Sequence, residues 1–257
     1  SVAPPRPRPG RVTVHGRAPV VAGPQTRKRP PVEPAGMSDG VTRFDMPRPD
    51  LPAYLTASPD EPIGCHLVGD TLFGTGYALS TDQLLRKLEA AGGVERVVVE
   101  HEDTDHYGAL PGVVDRFDPE VVVPDGDQAF LQRAYADLTA DRLVEGGEEV
   151  AGFRAVRVRG HTYGNMAFVD ESQGLLVAGD TVVGADSDIA PDRRWSGPLA
   201  PPAELFNRDT DRARRNLVAL AGLDGETVLL TPREDAGGGG SDAGDRLLRG
   251  PGRHWEL

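Results

Sequence analysis

Lysine is almost missing from this 257-residue chain, because only Lys28 and Lys87 occur and the remaining cationic side chains are arginine. Asp and Glu number 40 against 28 Lys and Arg, which gives a formal net charge of −12. An acidic, lysine-poor surface is typical of proteins adapted to high salt, although an acidic protein from a GC-rich genome can share it. With either origin a negative surface repels phosphates, so we predict no nucleic-acid partner.

Cysteine and long apolar runs are also scarce. Cys65 is the only cysteine, so the chain cannot form an internal disulfide, which fits the reducing cytoplasm. No apolar run approaches the roughly 18–20 residues that a membrane-spanning helix needs. We therefore predict a soluble, cytoplasmic protein without a membrane partner, and a hydrophobic content of 38% is enough for a sizeable core.

The first 36 residues differ in composition from the rest of the chain. Residues 1–36 contain nine prolines and seven basic residues but a single acidic residue, Glu33. This composition cannot bury a core, so we predict that the segment is disordered. Our hypothesis is that Met37 is the natural start, with a basic binding arm as the alternative. The predicted folded domain then covers 37–235, and the Gly-rich residues 236–257 form a flexible tail.

Apolar patterning predicts strands that alternate with helices. The predicted strands cover residues 63–68, 71–73, 94–99, 121–123, 153–159, 166–170, 175–178 and 227–231. The predicted helices cover residues 81–91, 108–117, 128–138 and 203–220. Short turns between neighbouring strands imply antiparallel hairpins, so the predicted class is a mixed α/β (α+β) fold.

Histidines and acids follow directly after several of the predicted strands. They are His101, Asp103, Asp105 and His106 after 94–99, His161 after 153–159, Asp180 after 175–178, and Glu234 and Asp235 after 227–231. In layered α/β proteins the carboxyl ends of strands gather along one edge, where ligands bind. A solvated polar loop could explain the first cluster alone, but His161 and Asp180 in the same context favour a metal site.

The spacing within the first cluster, HEDTDH at 101–106, suits two ions. In an extended loop alternate side chains turn to one side, so the first His and Asp can face one ion while the second Asp and His reach another. Imidazole nitrogen and carboxylate oxygen are ligands for zinc, iron or manganese. Asp180 could bridge the two ions, and such a pair can hold a hydroxide at neutral pH.

With HEDTDH at 101–106, GHTYGN at 160–165 and AGD at 178–180, the chain resembles the metallo-β-lactamase fold superfamily. The resemblance runs from about residue 62 to residue 235. It implies a four-layer αββα sandwich with a metal site at one edge. It also implies one or two divalent ions, with zinc expected first and iron or manganese as alternatives.

Three positions depart from the pattern of that family. Asp103 stands where the family has its second His, and carboxylates there resemble the flavodiiron branch, which binds iron. Gly74, in LFGTG at 72–76, stands where the family has a supporting Asp. The late His is missing from TPRED at 231–235, where Glu234 or Asp235 could serve instead.

The resemblance implies a hydrolase in which a metal-bound hydroxide attacks an ester, thioester, lactone or phosphodiester of a small molecule. The implied ligands are His101, Asp103 and His161 for one ion, Asp105 and His106 for the other, and Asp180 for both. Asp105 would also orient the nucleophile. Two alternatives stay open: a non-haem di-iron redox protein, and a degenerate, non-catalytic binding protein.

Residues other than the proposed metal ligands have further candidate roles. Tyr163, within GHTYGN, could line a substrate pocket or pack as a loop aromatic. Arg193 and Arg194 could reach a substrate carboxylate from the loop at 192–199. His66 and Cys65 lie within a predicted strand, so we interpret both as structural.

Overall fold

A computed structural model of the chain describes residues 40–50, 62–184, 199–217, 220 and 227–231. All of them belong to the unit that spans residues 34–257. The segment 1–36 and the tail 236–257 lie outside these ranges, so their predicted disorder and flexibility stay predictions. No helix in the described ranges is long and apolar enough to cross a membrane.

The first sheet carries the loop with the HEDTDH motif. Its strands are β1 (Val41–Met46), β2 (Ile63–Val68), β3 (Thr71–Phe73), β4 (Arg96–Val98), β5 (Glu120–Pro124) and β6 (Arg142–Val144). They are hydrogen-bonded in sequence order from β1 to β6. The pairs from β1 to β3 are antiparallel, whereas β3, β4, β5 and β6 run parallel to one another.

The second sheet carries the other two motifs. Its strands are β7 (Glu149–Val150), β8 (Phe153–Arg157), β9 (Met166–Asp170), β10 (Leu175–Gly179) and β13 (Thr227–Leu230), and a separate pair is β11 (Val183–Gly184) with β12 (Leu199–Ala200). The order in the sheet is β13-β10-β9-β8-β7. Because β8 and β10 are both antiparallel to β9, they run in the same direction and end at the same edge.

Short helices complete the described part of the fold. They are α1 (Thr81–Ala91), α2 (Thr104–Tyr107), α3 (Leu110–Phe117), α4 (Ala129–Ala134) and α5 (Thr210–Asn216), with 3₁₀ turns at Ala78–Ser80 and Glu204–Phe206. Helix α1 ends at Gly92, whose φ of 104° gives the left-handed cap that glycine adopts without strain.

Clusters of buried side chains lie between the layers of helices and sheets. Leu88 of α1, Leu110 of α3 and Phe130 of α4 pack in one cluster with Val97 of the first sheet. Along β4 the neighbouring Val98 instead enters a second cluster, because successive strand side chains point to opposite faces. Helices therefore cover the outer face of the first sheet.

The space between the sheets is filled by aromatic and branched side chains. The ring of Phe73 lies 4.9 Å from that of Phe153 and 5.6 Å from that of Phe168, measured between centroids. On the outer face of the second sheet, Leu217 at the end of α5 joins a third cluster with Leu176. Helix, sheet, sheet and helix thus follow one another, and the predicted αββα sandwich is confirmed.

The predicted elements agree with the structure where apolar periodicity is regular. The strands at 63–68, 71–73 and 166–170 and the helix at 81–91 have the predicted bounds. The helix predicted at 203–220 is wrong as a single element. Asn207 interrupts it with extended backbone, and the side chain of Asp209 accepts a hydrogen bond from Arg212 N to start α5.

Two further helix predictions need correction. The helix predicted at 108–117 begins only at Leu110, because Ala109 N donates to Gly76 O rather than continuing from α2. The helix predicted at 128–138 is described as helix only over Ala129–Ala134. Tyr135 then turns to extended backbone, and its hydroxyl donates to Gly108 O.

Candidate metal centre

The HEDTDH motif is positioned by the end of β4 and the start of α2. Val99 and Glu100 continue the buried stretch beyond β4, and His101 is fully buried. His106 N donates to Asp103 O at 3.0 Å, so the chain turns tightly between the two halves of the motif. The loop therefore directs its first His and Asp to one place and its second Asp and His to another.

One group of candidate ligands surrounds His161. His161 Nε2 lies 3.2 Å from His101 Nε2 and 2.9 Å from Asp103 Oδ2. Asp180 Oδ2 is 3.7 Å from the same nitrogen. Ligand atoms around a tetrahedral zinc stand about 3.3 Å apart, given Zn–N distances of about 2.0–2.1 Å. The spacing of these atoms fits a common ion.

A second group surrounds His106. His106 Nε2 lies 3.4 Å from Asp180 Oδ1 and 4.0 Å from Asp105 Oδ2. The two oxygens of Asp180 thus face different groups, Oδ2 the first and Oδ1 the second. The ligand atoms of His101, His161 and Asp180 lie within 4.8 Å of one another, and so do those of Asp105, His106 and Asp180. This is the arrangement expected of a carboxylate shared by two ions.

Unpartnered polar atoms point to the same places. His106 Nε2 and Asp180 Oδ1 are buried without a hydrogen-bond partner among the described residues. A buried polar atom without a partner costs free energy, so such atoms call for an explanation. A cation between the imidazole nitrogen and the carboxylate oxygen would satisfy both of them, and the donor set of nitrogen and oxygen suits zinc, iron or manganese.

The electrostatics of the first group place charge on its acids and its imidazole. Burial alone would raise the pKa of Asp103, but hydrogen bonds with His101 and His161 lower it well below its usual range. Burial lowers the pKa of His161, yet the bond to Asp103 and the charge of Asp180 leave it raised.

The second group behaves in the same way around Asp180. Burial opposes ionisation of Asp180, but the charge of His106, whose Nε2 lies 3.4 Å from Asp180 Oδ1, holds its pKa below the usual range. Burial also lowers the pKa of His106, and the charges of Glu100 and Asp180 more than offset this, so it is raised. Burial raises the pKa of Asp105. Carboxylates that stay ionised in a buried site create a field that favours a cation.

Asp127 ties the two motif loops together, and the sequence reasoning missed it. Glu102 N donates to Asp127 Oδ2 at 3.1 Å, and Thr162 Oγ1 donates to the same oxygen. Gly164 N donates to Asp127 Oδ1. Asp127 is 1% exposed, so its carboxylate serves these donors rather than water. It fixes the loop of His101 relative to the loop of His161.

Asn165 makes a second tie of this kind. Its Nδ2 donates to Val158 O at 2.9 Å and to Thr181 Oγ1 at 2.8 Å. Thr181 directly follows Asp180, so the bond links the end of the GHTYGN loop to the loop that carries the shared carboxylate. The available sequence signal was the place of Asn165 at the end of the GHTYGN motif, directly before the apolar strand β9.

Of the remaining predicted residues, the structure describes Tyr163, His66 and Cys65. Tyr163 is 64% exposed, and Arg208 lies over its ring at 5.6 Å from the centroid. His66 is buried, and its Nε2 lies 3.2 Å from Arg43 Nη1. Cys65 is fully buried and burial raises the pKa of its thiol, which fits the structural role predicted for it. Arg193, Arg194, Glu234 and Asp235 lie outside the described residues.

A family model described as the metallo-beta-lactamase superfamily matches residues 64–231, which is more than half of the chain. The chain belongs to the metallo-β-lactamase superfamily. All three motif loops and the second sheet lie within the matched residues, whereas β1 of the first sheet precedes them.

Curated relatives of this superfamily member share only part of their length with it. The uncharacterized protein YobT of Bacillus subtilis is 25% identical over 143 residues, covering 46% of this chain and 61% of that protein. The hydroxyacylglutathione hydrolase of Chromohalobacter salexigens is 28% identical over 157 residues, covering 59% of this chain and 52% of that protein. The chain thus spans about half the length of these relatives.

Solved structures of the superfamily share the fold. The metallo-beta-lactamase FIM-1 of Pseudomonas aeruginosa, in its mono-zinc form, superposes with a TM-score of 0.59. The match covers 77% of this chain and 86% of FIM-1 at 12% sequence identity. At this identity the likeness shows the common fold alone.

Proposed function

We propose that this superfamily member is a metal-dependent hydrolase of a small acyl or phosphoryl substrate. The observation that carries the proposal is the placement of Asp180. One of its oxygens is 3.4 Å from His106 Nε2 and the other is 3.7 Å from His161 Nε2. A carboxylate that faces two ligand groups in this way supports a site for two ions. Its relatives include hydroxyacylglutathione hydrolases.

The proposed ligands follow the two groups of side chains. They are His101, Asp103 and His161 for the first ion, Asp105 and His106 for the second, and Asp180 for both. Glu234 and Asp235 remain candidates to complete the second set. Zinc is the ion we expect first, because imidazole and carboxylate ligands at these spacings suit it.

The chain's own groups divide the work of hydrolysis. Bound divalent ions in such a site act as Lewis acids and lower the pKa of water to about 7. Asp105, proposed as a ligand of the second ion, would also orient the attacking water. His101 and His106 are fully buried and exclude bulk solvent from the inner side of the site.

The substrate class tested first should be a thioester. Three of the curated relatives are named hydroxyacylglutathione hydrolases, and such a substrate is an acylated thiol. Esters, lactones and phosphodiesters remain in the proposal. Tyr163 and Arg208 form an exposed pair next to His161 and are the described candidates to contact the substrate. Arg193 and Arg194 stay candidates from the sequence.

Turnover on a substrate panel tests the proposal. The protein is stripped with a chelator, reloaded with zinc, iron(II) or manganese, and assayed on an acyl-glutathione, an ester, a lactone and a phosphodiester. We expect hydrolysis of at least one substrate, lost on stripping, restored by metal and abolished by His161→Ala. Metal-loaded protein that hydrolyses none of them would contradict the proposal, and protein that binds no metal would support the non-catalytic alternative.

Metal titration is expected to show unequal sites. The first ion has four described candidate ligands, whereas the second has three, His106, Asp105 and Asp180. Structural zinc sites bind with roughly 10–16 kcal/mol in all, so a missing fourth ligand should cost about 3 kcal/mol, or roughly a hundredfold in affinity. Competition with a chromogenic chelator should therefore resolve two steps, the second weaker.

Substitution in the segment after β13 provides the control for that titration. Pro232→His or Glu234→His should strengthen the second step and leave the first unchanged, if this segment reaches the ions. Two equally tight ions in the unchanged protein would refute the expected difference. That result would identify a carboxylate such as Glu234 or Asp235 as the missing ligand.

A di-iron redox protein is the second candidate function. The specific observation is Asp103, whose Oδ2 lies 2.9 Å from His161 Nε2 and makes the first group richer in oxygen donors. Oxygen donors favour harder ions than sulfur or nitrogen donors do. Iron in the purified protein, with a visible absorption band that oxygen alters, would favour this candidate. A colourless, zinc-loaded and hydrolytically active protein would exclude it.

A further inference from the structure

Glu100, directly before the first motif histidine His101, is a buried glutamate. Glu100 is 1% exposed, and its Oε2 lies 3.1 Å from His106 Nδ1. Lysine and arginine supply no salt bridge to this carboxylate within the described ranges. A buried carboxylate without a partner is costly, so the bond to His106 is what makes this position tolerable.

The bond orients the His106 ring. With Nδ1 donating to Glu100, the ring presents Nε2 to Asp180 Oδ1, 3.4 Å away. The other two motif histidines differ, because Nδ1 of His101 and Nδ1 of His161 have no hydrogen-bond partner among the described residues. His106 is therefore the motif histidine whose second nitrogen is held by a carboxylate.

Two glycines leave the space that this carboxylate occupies. A Cβ added to Gly74 would lie 3.5 Å from Glu100 Oε2 and 3.9 Å from His106 Nδ1. A Cβ added to Gly179, directly before Asp180, would lie 3.1 Å from Glu100 Cβ. Both glycines have positive φ, 68° and 51°. The Glu100 side chain thus fits between the strand end that carries Gly74 and the one that leads to Asp180.

Gly74 is the position at which the superfamily pattern has a supporting aspartate. A side chain there would point into the space where the Glu100 carboxylate lies, because even its Cβ would touch both Glu100 oxygens, at 3.5 and 3.6 Å. An aspartate at 74 and a glutamate at 100 would place two carboxylates in one buried space. Like charges that close destabilise each other, so carrying both carboxylates in this space is unfavourable.

We infer that Glu100 is a positioning residue for His106 and supplies, from the end of β4, the carboxylate that the family pattern places at position 74. It holds the ring with Nε2 toward the second ion and increases the basicity of this ligand. The inference rests on the proposed metal site, but not on hydrolysis or on the identity of a substrate.

The inference can be tested by moving the carboxylate from position 100 to position 74. Glu100→Ala should weaken the second zinc step by about 10–100-fold, which is the usual loss when such a supporting partner is removed. Gly74→Asp alone should also weaken it, by charge crowding. The double variant Glu100→Ala with Gly74→Asp should recover most of the lost affinity, because aspartate tolerates positive φ and enters the vacated space. Glu100→Gln keeps an acceptor oxygen and should fall in between.

Glu102 offers a matched control two residues away. Its carboxylate pairs with the exposed Arg133 and Arg208 instead of with a histidine. Glu102→Gln should leave the second zinc step unchanged, whereas Glu100→Gln should weaken it. Circular dichroism and thermal unfolding of every variant confirm that the proteins compared are folded.

Crystal structures of the metal-free proteins separate this inference from the proposed function. We expect the His106 ring to keep its orientation in the unchanged protein and in the double variant, and to turn in Glu100→Ala. This readout needs neither turnover nor a bound ion, so it stands even if no substrate is hydrolysed. A Glu100→Ala protein with unchanged His106 and unchanged zinc affinity, or a double variant no better than the weaker single variant, would overturn the inference.

Discussion

Replacing Asp180 by alanine is expected to abolish stable binding of both ions. Each of its carboxylate oxygens faces a different group of ligands, so the substitution removes a ligand from each ion at once. The first ion would then have only His101, Asp103 and His161, and the second only His106 and Asp105, so each should bind about a hundredfold more weakly, because one ligand is worth about 3 kcal/mol. After dialysis against a free zinc concentration that just saturates the first site of the unchanged protein, elemental analysis should fall from at least one ion per chain to nearly none.

Asp170 is the matched control for that experiment. It is also a buried aspartate on the β9–β10 hairpin, but it pairs with Leu175, at the end of β10 away from Gly179. Five residues of strand place it about 15 Å from Asp180. Asp170→Ala should cost about 2 kcal/mol of stability, because the carboxylate accepts bonds from Ser172 and Gln173, and should leave metal content unchanged.

Other outcomes of this pair of variants would count against the assigned ligands. His66→Ala is a second control, because His66 lies in β2 and its Nε2 is 3.2 Å from Arg43 Nη1. Equal loss of metal from Asp180→Ala and from either control would show that the cluster is misassigned. Retention of both ions by Asp180→Ala would rule out a shared carboxylate at this position.

Replacing Asp127 by alanine should have the next largest effect. Its carboxylate accepts bonds from Glu102 N, Thr162 Oγ1 and Gly164 N, and the substitution leaves these donors without an acceptor. Buried donors without partners cost about 1–3 kcal/mol each, so we expect the free energy of unfolding to fall by about 3 kcal/mol. The first ion should weaken at least tenfold, because the loops of its ligands are no longer tied together.

The conservative substitution Asp127→Asn provides a graded test of these hydrogen bonds. Asp127→Asn keeps one acceptor oxygen, so the loss in chemical denaturation and in the first zinc step should be intermediate. Burial raises the pKa of Asp127, and the bonds from Thr162 and Gly164 oppose this shift. An Asp127→Ala protein with unchanged stability and unchanged first-step affinity would show that the loops hold their positions without it.

Strands and helices with regular periodicity could be predicted from the sequence, and irregular elements could not. The valines at 97–98 and 121–123 alternate between two hydrophobic clusters, so their apolar pattern is complete in the sequence. Strand β1 was missed because Arg43 and Asp45 interrupt its apolar pattern. Its place is fixed by pairing with β2, which is a contact remote in sequence.

The candidate ligands could be predicted because each follows a strand whose end lies at one edge of the fold. The residues that hold these ligands could not, because their roles depend on partners far along the chain. Asp127 bonds Thr162 and Gly164, 35 and 37 residues away. Glu100 acts through the space beside Gly74, and the sequence showed Gly74 only as the loss of an aspartate.

Metal location is tested most directly by anomalous scattering from crystals grown with zinc. Difference maps at the zinc absorption edge should show a strong peak between His101, His161, Asp103 and Asp180, at about 2.0–2.2 Å from the ligand atoms. A second peak, weaker at limiting zinc, should lie between His106, Asp105 and the other oxygen of Asp180. The absence of a peak at both positions in zinc-saturated crystals would contradict the metal centre described by these residues.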